Sequence, residues 1–185
     1  MKLLSIMMLL FIVTGCATLN KDQCQQGDWF GIGFSDGVSG ETMDRMARHN
    51  EACAEYGIGV NSQQYMAGRA QGLNTYCRLD NAFNTGLSGQ RYQRVCPPSI
   101  DGIFDRYNSA AYDVYDLRNE SNSIDNRLTN TESQMMKKDI SRDEYFRLRQ
   151  ELRDLDAERH RIQMNLHSAE RYVDQLRDEA RTFAQ

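Results

Sequence analysis

The chain is poor in what linkers, membrane spans and polyanion binders need. It has two prolines in 185 residues and sixteen Phe or Tyr, which argues against a disordered tail. No apolar run reaches the roughly 18 residues of a membrane-spanning helix. Against 26 acidic side chains stand 22 Lys and Arg, a formal net charge of −4, so a nucleic-acid partner is not expected. Histidine is scarce, with only His49, His160 and His167. His160 and His167 stand seven apart, whereas two ligands on one helix prefer i,i+4 spacing, so both are expected to be solvated. Gly37-Val38-Ser39-Gly40 and Gly86-Leu87-Ser88-Gly89 both miss the G-x-S-x-G elbow of a serine nucleophile. His49 could join Asp36 and Glu51 in an acid–base set, but nearness in sequence alone does not assemble one. No enzyme activity, cofactor or metal is expected.

What is present begins with an address. Lys2 precedes an apolar stretch from Leu3 to Val13, the pattern of a signal peptide over residues 1–15. It runs into Val13-Thr14-Gly15-Cys16, which resembles the lipobox of bacterial lipoproteins. The resemblance implies that Cys16 is diacylated, exposed by cleavage and then N-acylated, so that the chain is held on a membrane by its lipid. Ala17 stands where Asp would retain a lipoprotein in the inner membrane, so the outer membrane, facing the periplasm, is the expected location. Residues 16–27 are expected to be the lipidated N-terminus and tether. Trp29, Phe30 and Phe34 follow closely, as core residues or, alternatively, as rings at the lipid interface.

Setting Cys16 aside leaves Cys24, Cys53, Cys77 and Cys96, an even set in an oxidising compartment. Two disulfides are expected, because no pair has the C-x₂₋₄-C spacing of a zinc site. If Cys53 and Cys77 end successive antiparallel helices, they lie at opposite ends of that pair. Cys24–Cys53 with Cys77–Cys96 is then the preferred pairing among the three possible.

Composition divides the chain at Cys96-Pro97-Pro98. Residues 16–98 hold 11 of the 13 glycines and 15 charges, while residues 99–185 hold one glycine and 32 charges. The fold expected is all-α: a small disulfide-stapled helical head over 28–98, then a long antiparallel coiled-coil hairpin over 99–185. In the head, Phe30-x-x-Gly33-x-x-x-Gly37, Tyr65-x-x-Gly68-x-x-x-Gly72 and Phe83-x-x-Gly86-x-x-Gly89 form a weak repeat. On a helix the glycines share a face that admits a neighbouring backbone. A phosphate cradle would need a preceding strand and a Lys, and neither is present.

Cys24, Gly27-Asp28-Trp29, Gly33, Asp36-Gly37, Cys53, Tyr65, Gly68, Gly72-Leu73, Tyr76-Cys77, Gly86, Tyr92 and Cys96-Pro97 together resemble a family of bacterial lipoproteins catalogued only as a domain of unknown function. The resemblance covers roughly residues 24–112 and implies no activity.

Beyond Ser99 two heptad seams follow. The first runs Ile100, Ile103, Tyr107, Ala110, Val114, Leu117 and on to Met135, and the second runs from Tyr145 and Leu148 to Phe183. The turn is expected near 137–141, with Ser141-x-x-Glu144 as a capping box opening the second helix. Matching the seams sets Leu128 opposite Leu152, Ile124 opposite Leu155, and Ser121 opposite Arg159 as one polar layer. At the tip, Met135, Met136, Lys137, Lys138 and Ile140 combine flexible apolar and cationic groups, a composition suited to docking. The expected role is that of a structural or interaction protein whose arm meets an envelope partner or a second copy. A module binding peptidoglycan or another envelope ligand is the alternative, and a cell-wall enzyme a more remote one.

Overall fold

The computed structural model describes residues 18–183. The signal segment and Cys16 lie outside the described residues. Those described form seven helices and no strand: α1 (Lys21–Gln26), α2 (Trp29–Val38), α3 (Asp44–Ala54), α4 (Ser62–Tyr76), α5 (Leu79–Leu87), α6 (Pro98–Met135) and α7 (Arg142–Phe183). The architecture is the expected one, a helical head followed by a long helical pair.

Local chemistry sets the helix boundaries. Asn20 and Gln23 make a reciprocal capping box on α1, and Gly27 ends the helix at φ 64°. Asp28 caps α2 by accepting from the Gly31 N–H, and Asn61 caps α4 by accepting from that of Gln64. Pro98 opens α6 at a position where its missing N–H costs nothing. Ser141 Oγ accepts from the Glu144 N–H at the start of α7.

Two disulfides join Cys24 to Cys53 and Cys77 to Cys96, the preferred pairing. Around the first, Leu19, Trp29 and Tyr65 form one apolar cluster. Residues 18–26 are therefore no free tether: Leu19 and Cys24 are buried, and α1 is part of the head. The physical reason is the disulfide, which clamps α1 to α3, with the capping box keeping the segment helical.

The glycine motifs let helices approach one another backbone to backbone. A Cβ on Gly33 would lie 2.1 Å from the Tyr65 carbonyl oxygen, and one on Gly68 would lie 2.0 Å from that of Phe30. Gly37 and Gly72 meet the opposite helix in the same way, so α2 and α4 cross backbone to backbone. The third motif packs α5 on α6, where Gly86 faces the Asn108 carbonyl.

The second cluster crosses the compositional boundary. Tyr76, Phe83, Tyr92 and Cys96 of the head pack with Phe104, Tyr107, Ala111 and Val114 of α6 and with Val173 and Leu176 of α7. The base of the hairpin is thus a wall of the head's core, although composition divides the chain at Pro98. Farther out, Ile124, Leu128, Leu155 and Ile162 form a cluster drawn from α6 and α7 alone.

The buried residues of the hairpin fit the expected register: Leu117, Ile124 and Leu128 of α6 share one cluster with Leu152, Leu155 and Ile162 of α7. The exposed ion pairs are offset from it. The expected pairing sets Arg127 near Arg153, but it pairs with Glu158; likewise Arg106 pairs with Glu179 and Arg118 with Glu170. Each partner stands one to two turns farther along α7 than expected. The offset is the reach of these long side chains, which tilt toward their own N-termini and so lean in opposite directions in an antiparallel pair. At the Ser121–Arg159 layer the guanidinium snorkels, with the Arg159 head turned outward to Asp156 at 2.8 Å. Along α7, Glu144–Arg147, Asp156–Arg159, Glu158–Arg161, Asp174–Arg177 and Asp178–Arg181 pair three residues apart.

Candidate functional site

Most polar side chains here are exposed, so a buried polar cluster stands out. His49 and Asp36 are both buried, on α3 and α2. His49 Nε2 lies 2.9 Å from Asp36 Oδ2, and Tyr65 of α4 donates its hydroxyl to the same oxygen at 2.6 Å. On the other side of the ring, His49 Nδ1 is 2.8 Å from Thr18 Oγ1. In the tautomer with the proton on Nε2, toward the carboxylate, Nδ1 accepts from the Thr18 hydroxyl. Arg45 supplies the counter-charge, with its Nε 3.9 Å from Asp36 Oδ1. That Nε is sealed from solvent and makes no hydrogen bond. Burial, and then the bond to Asp36, push the Tyr65 hydroxyl well above its ordinary pKa, so it remains a donor.

The sequence falls locally so as to make this cluster. Gly33 and Gly68 bring α2 and α4 within reach of a tyrosine hydroxyl, and the Cys24–Cys53 bond holds α3 behind them. Thr18, His49 and Asp36 form one continuous hydrogen-bonded chain. Mechanically it is a clasp that fixes Thr18, two residues after Cys16, to the middle of the head. Beside it opens a cleft of about 410 Å³ lined by Thr18, Asp28, Ser35, Asp36, Arg45 and His49. Nearness in sequence is no ground for assembling His49 with Asp36 and Glu51; the structure joins His49 to Asp36, leaves Glu51 exposed, and adds Tyr65 and Thr18.

A second buried node joins the head to the arm. Asn108 of α6 donates to Thr85 Oγ1 and to the Gln90 carbonyl, and accepts from the Tyr92 N–H. Tyr92 in turn donates to Asp101 and accepts from the Cys96 N–H. Burial, then Asp101, raise the Tyr92 hydroxyl; the same hydroxyl, aided by Arg94, holds the Asp101 carboxyl below its usual range.

The expected tip residues do lie together at the α6–α7 turn. Met135 ends α6 half-buried and Met136 caps it at 81% exposure. Lys137 and Lys138 are exposed in the turn, and Ile140 is half-buried before α7. They stand at the opposite end of the hairpin from the buried clusters of the head. A further cleft, of about 550 Å³, opens between α5 and α7 and is lined in part by Arg78, Leu79, Phe83, Arg177 and Arg181.

Among the described residues no helix is long and apolar enough to cross a membrane. Residues 28–113 match the model of a family described as "Protein of unknown function (DUF2799)". The match runs past Pro98 into the part of α6 that completes the head's core, so its extent follows packing where composition does not. No curated protein and no solved structure matches the chain.

Proposed function

We propose that the chain is a lipoprotein of the bacterial outer membrane, acylated at Cys16 and facing the periplasm. It acts there as a structural or interaction protein through its coiled-coil arm, without catalysing a reaction. The observation that supports the arm's role is the distal cluster of Ile124, Leu128, Leu155 and Ile162, a core that owes nothing to the head. At 1.5 Å per residue, the 38 residues of α6 span about 57 Å. Holding that length rigid is unnecessary for the stability of the head, and it suits a protein that must reach a partner. The partner is an envelope protein or a second copy of the chain. We read the Thr18–His49–Asp36–Tyr65 cluster as the clasp at the anchored end.

The test has two arms. Cys16→Ser is expected to abolish labelling by fatty acid and to leave unprocessed precursor, whereas normal processing and membrane retention would refute the anchor. Replacing residues 121–162 by a short glycine-rich turn is expected to leave the head folded and to remove the partner from pull-downs. The ligand-binding alternative is supported by the 410 Å³ cleft and its polar lining. It predicts that partner capture survives loss of the arm and is lost in Ser35→Trp, which would fill the cleft.

A further inference from the structure

The aromatic residues after the anchor divide into two environments. Trp29 is buried in the first cluster, while Phe30 and Phe34 are 43% and 37% exposed. With Val38, also exposed, they stand four residues apart and make one apolar stripe along α2. The adjoining stripe of α2 is Gly33 and Gly37, which is taken up by α4. On the other flank Gly31 and Ser35 line the cleft that holds Thr18. The exposed stripe therefore runs beside the point where the chain enters the head.

That entry point lies close to the membrane if Cys16 carries the lipid. Thr18 is fixed to His49 and Leu19 is buried, so no slack follows the anchor. Two residues of fully extended chain span at most about 7 Å. A head held that closely must turn some face to the lipid, and the apolar stripe adjoins the tethered point. Continuing from Val38, the surface carries arginines: Val38 shares a cleft with Arg78, and Arg78 shares the next with Arg177 and Arg181. Each is paired with an Asp, so this rim is polar without net charge, and the apolar residues supply the attraction.

We propose that Phe30, Phe34 and Val38 form a membrane-contact face that seats in the lipid interface, with Arg78, Arg177 and Arg181 at its headgroup rim. This rests on the lipid-anchor reading of Cys16 and deepens it. The C-terminal end of α7 then lies near the bilayer.

The test places a nitroxide at Phe34→Cys in the lipidated full-length chain, bound to vesicles of phosphatidylethanolamine and phosphatidylglycerol. Met164→Cys, on an exposed face of the arm, serves as the aqueous reference. Collision rates with oxygen and with a water-soluble nickel complex are compared. The oxygen-to-nickel ratio at position 34 is expected to be several-fold higher than at 164, and equal ratios would overturn the proposal. Val38→Cys reads the same face independently should the label at 34 disturb the fold. Intact mass and vesicle flotation of the same samples separate the two claims. An acylated, floating protein with an aqueous position 34 loses the contact face alone, whereas an unacylated protein loses the anchor and the face together.

Discussion

At the residue scale, glycines and tyrosines bear most of the structure's constraints. Gly68→Ala would put a methyl 2.0 Å from the Phe30 carbonyl oxygen, and only a backbone shift could relieve it. A loss of about 2–3 kcal/mol is expected, read as a fall in melting temperature. Gly102→Ala on α6 has nothing within 4 Å and is expected to gain up to about 1 kcal/mol, so the pair separates packing from helix propensity. A loss at both positions alike would contradict the packing account. Tyr65 and Tyr92 give a pH prediction, because both hydroxyls are raised in the folded state. A raised pKa stabilises the fold fully below the ordinary value of 10.0 and loses that contribution as pH climbs toward the folded value. The head is therefore expected to loosen in alkali with a rise of tyrosinate absorbance that is cooperative with unfolding, and Tyr65→Phe should soften that dependence. Independent titration of every tyrosine near its ordinary value would exclude it. The glycines' packing role was legible from their spacing. The His49 clasp was legible only in part, because its bonds join residues 13, 29 and 31 apart and no periodicity relates such positions.

At the scale of elements, the even cysteine count predicts two disulfides, and helix ends argue only against joining Cys53 to Cys77. Two pairings therefore stay open in the sequence, and the structure selects Cys24–Cys53 with Cys77–Cys96. The bonds close segments of 29 and 19 residues, so each is expected to contribute about 3 kcal/mol. Reduction should lower the melting temperature of the head and leave the distal arm helical, which amide exchange would resolve segment by segment. Uniform loosening of head and arm would mean that the two are not separable. The hairpin's seams identify the helices, their faces and the layers that meet, because each layer buries one position from each helix. The ion pairs across the arm are not legible in the same way, since long exposed side chains lean along the helices before they meet. Cysteines at Leu128 and Leu152 are expected to crosslink on oxidation faster than cysteines at Leu128 and Arg159, one heptad away. Equal rates would contradict the register.

At the scale of the whole molecule, one end is clasped and the other is free. Thr18, His49, Asp36 and Tyr65 bind the incoming chain to the head, and the Asn108–Tyr92 node binds the head to the base of the arm. A force at the tip would be carried by two long helices whose own core continues outward from that base. Composition identified two regions but put their junction at Pro98, because it records glycine and charge and not which side chains share a core. Phe104, Tyr107 and Val114 are followed by a charged helix, but they pack with Phe83 and Tyr92. The account's central claim is that the arm works through its free end, and in-cell photo-crosslinking tests it most directly. A photoreactive side chain at Met136 is expected to give a discrete crosslinked product with an envelope protein or a second copy, lost when Lys137 and Lys138 are changed to Ser. Products from Ser35 beside the head's cleft, with none from Met136, would contradict it.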